Sequence, residues 1–231
     1  MGYVFAAAAQ PVVPVFNSTD LFPVHRIYCV GRNYEEHAKE MGFTGREPPF
    51  FFAKPADAVL IAGDGAAAQL PYPGETANLH HEMELVVAIG KRGRNIAAAD
   101  ALSYIWGYAV GLDMTRRDLQ GEMKKQGRPW EVGKGFDHSA PIGPIKPIAR
   151  TGEIKSGRIW LNVNGAKRQD SDVSKLIWNV NETIEHLSKY FELAPGDLIF
   201  TGTPEGVAAV GRGDLMEGGV EGVGTLAVKV V

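Results

Sequence analysis

The apolar and polar positions of this chain fall into short runs rather than long amphipathic stretches. Leu85-Val86-Val87-Ala88-Ile89 is apolar and rich in β-branched side chains, so residues 82–89 read as a buried strand. Similar runs over 26–30, 50–53, 106–112, 159–163, 198–201 and 225–230 alternate with Gly and Pro turns. Asn164-Gly165 is a two-residue hairpin pattern between Leu161-Asn162-Val163 and Ala166-Lys167-Arg168. The pattern predicts three helices. One spans 34–41 after Asn33, and one spans 115–126 with Thr115 and Asp118 at capping-box spacing. The third spans 180–191, with Asn179 and Glu182 at its start. Val180, Ile184, Leu187 and Phe191 recur there at helical spacing, which makes it a core-packing element. Residues 1–24 have no clear period and contain three prolines. They read as an extension lying on a main domain of residues 25–231.

The polar positions that interrupt this pattern matter most. Glu82 and Glu84 stand two apart at the start of a buried strand, so both project from one side. Asp113 ends the next strand-like run, Trp106 to Leu112, where it can converge with them. Buried like charges repel and drive at least one pKa upward unless a cation lies among them. Oxygen-only donors favour Mg2+, Mn2+ or Ca2+ over Zn2+. Two readings compete with this one. An edge strand whose glutamates face water has the same spacing. His80 shares the parity of the two glutamates and would give a His-Glu-Glu zinc set, although a core histidine is the commoner fate.

With 231 residues and 45% apolar content the chain can bury one substantial core. A net charge of -3 with no basic run argues against nucleic acid. No uncharged apolar run approaches the roughly 20 residues needed to span a bilayer, so no membrane partner is expected. The first 16 residues are apolar, but no Lys or Arg precedes Arg26 and Pro11 and Pro14 interrupt them, so a secretory leader is not expected. The single cysteine, Cys29, sits in an apolar run and reads as core, consistent with a reducing cytoplasm.

Other constellations carry less weight. His37 and Glu40 are three apart on the 34–41 helix and can pair as an imidazole and its orienting carboxylate, or as a solvated surface pair. Arg117 and Gln120 look back toward Asp113 if the helix starts at Thr115, and an arginine there could hold a substrate carboxylate. Lys134 lies between two glycines where backbone can approach a ligand, although a lone loop lysine is usually solvated. Asp137-His138-Ser139 has the residue types of a hydrolase triad, but consecutive residues cannot align as one. Gly211-Arg212-Gly213 lacks the third glycine of a dinucleotide loop and no helix pattern follows. Thr201-Gly202-Thr203-Pro204 closes a strand as a candidate anion cradle or an ordinary turn.

Several of these motifs occur in one order. Val30-Gly31-Arg32-Asn33-Tyr34 precedes His37 and Glu40, then come Lys54-Pro55 and Asn78-Leu79-His80-His81-Glu82-Met83-Glu84. Leu112-Asp113-Met114-Thr115-Arg116-Arg117-Asp118 follows, then Lys134 with Phe136, and Gly196-Asp197 leading to Thr201-Gly202-Thr203-Pro204. From Arg26 to the C-terminus this resembles the fumarylacetoacetate hydrolase family. The resemblance implies an α+β, mostly β fold, a mixed β-roll with few peripheral helices, usually as a homodimer. It implies Mg2+ or Mn2+ at Glu82, Glu84 and Asp113, with Ca2+ also compatible. It assigns His37 and Glu40 as a water-activating dyad, Lys134 as the active-site lysine, Arg117 and Gln120 as substrate contacts, and Thr203 as a residue that grips substrate.

The implied activity is hydrolytic carbon-carbon cleavage of an acylpyruvate by a cytoplasmic enzyme of gentisate-type aromatic degradation. Residues 49–57 look closest to members that cleave 3-fumarylpyruvate into fumarate and pyruvate. Decarboxylation or tautomerisation of oxaloacetate, isomerisation of an unsaturated dicarboxylate, and non-catalytic binding of a 2-oxo acid are the alternatives.

Overall fold

The computed structural model describes residues 2–36, 46–63 and 65–231. It is mostly β. Its centre is an eight-stranded mixed sheet in which Phe50–Lys54, Ile27–Gly31, Leu198–Phe200, Met83–Ile89, Ile105–Leu112, Ala140–Ile142 and Val59–Ile61 lie side by side in that order. The short strand Lys146–Pro147 pairs with Ile105–Leu112. Leu198–Phe200 runs parallel to Ile27–Gly31 and antiparallel to Met83–Ile89. A five-stranded sheet, Ala166–Asp172, Arg158–Val163, Leu215–Val220, Gly224–Val230 and Ala68–Leu70, packs against it.

The Met83–Ile89 strand is buried throughout, as expected for a strand covered on both faces. Met83, Leu85, Val87 and Ile89 enter the core shared with Leu161, Met216 and Val228 of the five-stranded sheet. Val86 and Ala88 join a second core with Ile27, Cys29 and Phe200. That outer core is closed by an N-terminal hairpin, Val12–Pro14 against Leu21–Pro23, through Val13, Val15, Phe22 and Val24. Residues 2–10 are exposed. Each of the seven runs expected as strands forms one, whereas residues 1–24, expected as an extension without a clear period, contribute the N-terminal hairpin. Asn164 and Gly165 both take positive φ, 52° and 76°, and join Val163 to Ala166 as a type I′ hairpin requires.

The Val180–Tyr190 helix opens on the expected capping box between Asn179 and Glu182, a feature that stabilises a helix by about 1 kcal/mol. The helix expected from Thr115 begins instead at Arg117, and Thr115–Arg116 forms a short strand against Leu79–His80. Asp118 explains the difference. Its carboxylate accepts hydrogen bonds from Thr76 Oγ1 at 2.6 Å and the Ala77 N–H at 2.9 Å, and Thr115 Oγ1 donates to the Asp113 carbonyl at 3.1 Å, so the capping box does not form. Most of the expected 34–41 helix, including His37 and Glu40, lies outside the described residues. No helix among the described residues is long and apolar enough to cross a membrane.

Candidate metal centre and active site

Strand pairing brings the three acids together. Met83 lies opposite Leu112 and Glu84 opposite Gly111, and the Asp113 N–H donates to the Glu82 carbonyl at 2.8 Å. Asp113 is thereby set beside the side from which Glu82 and Glu84 project. One carboxylate oxygen from each of the three lies within 4.8 Å of the others, and all three residues are buried. The exposed-edge reading of this pair does not describe the molecule, because the strand is central.

Three cations meet this charge. Lys134 Nζ lies 2.7 Å from Glu82 Oε2 and 2.7 Å from Asp113 Oδ2. Lys54 Nζ lies 2.9 Å from Asp113 Oδ1, and Arg117 pairs with Glu82. Burial alone would lower the Lys134 pKa, but the Asp113 and Glu82 carboxylates outweigh it and hold it above the usual value. Glu84 is different. Among the described residues no cation ion-pairs with it, and the Gly202 N–H donates to its Oε2 at 2.8 Å. Burial, then the charges of Asp113 and Glu82, hold its pKa well above the ordinary carboxylate range.

A hard divalent ion fits this donor set. Three buried carboxylates converge with no nitrogen or sulfur among them, the chemistry that Mg2+ and Mn2+ prefer. Asp113 Oδ1, although close to Lys54, is not aligned to accept a hydrogen bond and keeps a lone pair for an ion. His80 is not part of the set. Its Nε2 faces Asn78 Oδ1 at 2.8 Å and its Nδ1 faces Arg117 Nε at 3.4 Å, while burial and then Arg117 push its pKa down to about 4.

The surrounding residues complete one cleft. Arg117 Nη1 donates to Gln120 Oε1 at 2.6 Å, so both residues predicted from the Asp113 segment stand at the carboxylates. Lys134 is not in an open loop. It ends the short Glu131–Lys134 helix and is buried. Thr203 lines the same cleft, but its hydroxyl donates to the Met83 carbonyl at 2.9 Å and accepts from Gln169 Nε2 at 2.9 Å. Phe50, Phe52 and Trp130 also line it, with Trp130 meeting Phe50 edge-on at 5.4 Å between centroids.

Comparison with known proteins agrees with this architecture. Residues 26–231 match the model of the fumarylacetoacetate (FAA) hydrolase C-terminal family. The chain belongs to the fumarylacetoacetate hydrolase family. A crystal structure of fumarylpyruvate hydrolase from Pseudomonas aeruginosa in complex with Mn2+ and pyruvate is 55% identical with a TM-score of 0.98, covering 100% of this chain and 99% of that one. A fumarylpyruvate hydrolase of Ralstonia sp is 47% identical over 184 residues, 80% of this chain and 93% of that protein. The mitochondrial oxaloacetate tautomerase FAHD1 of Rattus norvegicus is 43% identical over 204 residues, 88% of this chain and 90% of that protein.

Sequence reasoning named Lys54 and Asn33 only as motif residues, held Thr201-Gly202-Thr203-Pro204 as a candidate anion cradle or an ordinary turn, and passed over Gln169. Lys54 carried a legible signal. It shares parity with Phe50 and Phe52, and a lysine ending so apolar a strand is drawn inward toward an acid. Gly202 takes φ +103°, and an added Cβ would lie 2.7 Å from Asn33 Cβ, so only glycine brings this N–H to Glu84. Asn33 holds the loop there. Its Nδ2 donates to the Thr201 carbonyl at 2.7 Å and the Trp178 carbonyl at 2.9 Å, and its Oδ1 accepts from the Trp178 N–H at 2.8 Å.

Proposed function

We propose that this chain is a divalent-metal-dependent hydrolase that cleaves the carbon-carbon bond of an acylpyruvate, with 3-fumarylpyruvate giving fumarate and pyruvate. The observation that carries the reading is the convergence of Glu82, Glu84 and Asp113 with Lys134 and Arg117 held against them. A charge count supports it. Three carboxylates facing Lys54, Lys134 and Arg117 sum to zero, so a divalent ion, with Arg32 also lining the cleft, leaves a net positive site suited to a dianionic substrate. The likeness to a hydrolase crystallised with Mn2+ and pyruvate points the same way.

Bound at Glu82, Glu84 and Asp113, Mg2+ or Mn2+ would supply Lewis acidity to the carboxylate and 2-oxo oxygens of the substrate. His37, oriented by Glu40, takes a proton from water, whose oxygen bonds to the distal acyl carbon. The bond to the pyruvyl C3 then breaks, its electron pair goes to C3, and C3 takes up a proton. Lys134, held protonated by its two carboxylates, supplies that proton or stabilises charge on the carbonyl oxygen. Arg117, braced by Gln120, holds a substrate carboxylate. Thr203, which lines the cleft with its hydroxyl bonded to the Met83 carbonyl, is a substrate contact. The enzyme acts as a homodimer, for which the exposed apolar Tyr3, Val4 and Phe5 offer surface to cover.

The likeness to oxaloacetate tautomerases supports a second reading on the same residues. Steady-state kinetics separate them: fumarylpyruvate is expected to have the higher kcat/KM, and much faster turnover of oxaloacetate overturns the hydrolase. His37→Ala should abolish hydrolysis and leave Mn2+ affinity intact. Unchanged turnover removes the dyad from the reaction, and Mn2+ binding by a wild-type protein inert on every oxo acid leaves only a binder.

A further inference from the structure

We infer that Gln169 is a positioning residue for the metal-binding strand and the Thr203 loop. The inference rests on the reading that Glu82, Glu84 and Asp113 hold a divalent ion. Gln169 comes from the other sheet. Along the Arg158–Val163 and Ala166–Asp172 pair, Asn162 faces Lys167 but Leu161 faces Gln169, so Arg168 is bulged out of register. Bulges re-aim side chains next to functional sites. Here the bulge turns Gln169 inward, where it is buried within a strand whose neighbouring residues 167, 168 and 170 are exposed.

The amide joins three points around the site. Its Oε1 accepts from the Met83 N–H and from His81 Nδ1, each at 3.1 Å. Its Nε2 donates to Thr203 Oγ1 and to the Pro204 carbonyl, each at 2.9 Å. The orientation is fixed by chemistry, since a peptide N–H can only donate and a carbonyl can only accept. Three consequences follow. The Met83 peptide, between ligands Glu82 and Glu84, is pinned from the second sheet. His81 must carry its proton on Nδ1. The Thr203 hydroxyl receives one hydrogen bond and so sends its own proton to the Met83 carbonyl.

A side chain that served packing alone would need none of this directionality, and a leucine would fill the same space. Gln169 instead orients the backbone and loop behind the proposed ligands, one step further out than the direct partners whose loss weakens metal binding by about 10- to 100-fold.

The test is Mn2+ titration calorimetry on wild type, Gln169→Leu and Gln169→Asn, with thermal unfolding in parallel and 15N spectra of the imidazoles. The expected result is a Kd weakened by about tenfold or more in both variants, with the Nδ1-protonated form of His81 seen in wild type and lost in the variants. A lowered Tm with Kd within about twofold of wild type makes Gln169 a packing residue and overturns the inference. Should neither variant fold, the wild-type spectrum decides, because an Nε2-protonated His81 refutes the network. A wild type that binds no Mn2+ sinks the metal reading and this inference together, whereas equal binding by wild type and variants sinks this inference alone.

Discussion

Two buried acidic centres sit in the same eight-stranded sheet, and the contrast between them separates scaffold from site. Asp197 is wholly buried just before the Leu198–Phe200 strand. It accepts from Arg26 Nε at 3.0 Å, Arg26 Nη2 at 2.8 Å and the Ala194 N–H at 2.8 Å, and it lies 2.8 Å from His25 Nδ1. One carboxylate is saturated by surrounding donors and ties together the starts of two parallel strands. Glu82, Glu84 and Asp113 reverse this arrangement, because three carboxylates share their donors and Glu84 is left with a peptide N–H. A saturated buried acid holds a fold together. A buried cluster that is short of donors is held ready for a ligand.

The largest effect expected from this contrast is on catalysis. Glu84→Gln removes a proposed metal ligand while keeping an acceptor for the Gly202 N–H. Loss of about 4 kcal/mol of Lewis-acid stabilisation corresponds to roughly a thousandfold in kcat/KM. The metal-free Tm should hold or rise, because the substitution relieves like-charge repulsion. A large fall in Tm with normal kinetics would make Glu84 a structural acid. Asp197→Ala should do the opposite, costing about 1–3 kcal/mol in denaturant unfolding, because the buried Ala194 N–H loses its acceptor while Arg26 and His25 can turn to water. Mn2+ affinity of the folded protein should stay unchanged.

An intermediate effect is expected at Lys134, whose ammonium lies between two of the proposed ligands. Lys134→Met should tighten Mn2+ by about tenfold, or ~1.4 kcal/mol, as repulsion is relieved, while kcat falls. Weaker Mn2+ binding would show that the lysine organises the ligands more than it competes with the ion. The smallest effect belongs to a solvated acid. Hydrogen bonds from Arg158, then Lys167, lower the Asp170 pKa to about 2, below the ordinary carboxylate range. A depressed folded pKa stabilises fully above the unfolded value, and that contribution is lost as pH falls from about 4 toward 2. Asp170→Asn should therefore lower stability at pH 7 only slightly, within the range of surface ion pairs, and its difference from wild type should fade as pH falls toward 2.

The sequence made the carboxylates legible because strand periodicity is local: Glu82 and Glu84 share a side by spacing, and Asp113 closes the neighbouring run. Their conversion from a spacing into a cluster needed the Met83 to Leu112 register, a long-range fact. Lys134 was legible as a residue but not as a buried one, since its burial depends on a helix only four residues long. The helix start at Thr115 was misread because Asp118 is claimed by Thr76 and Ala77, 42 and 41 positions away. Gln169 was hidden for a similar reason. A one-residue bulge inverts the inward and outward alternation that a strand pattern assumes.

Asn33 has a consequence for how the two halves of the proposed chemistry are kept in step. Its amide clasps Thr201 and Trp178 immediately before the chain enters the segment carrying His37. The segment of the proposed base therefore follows an anchor fixed to the loop whose Gly202 N–H touches Glu84. The last described turn before that segment is thus tethered to the ligand side of the cleft.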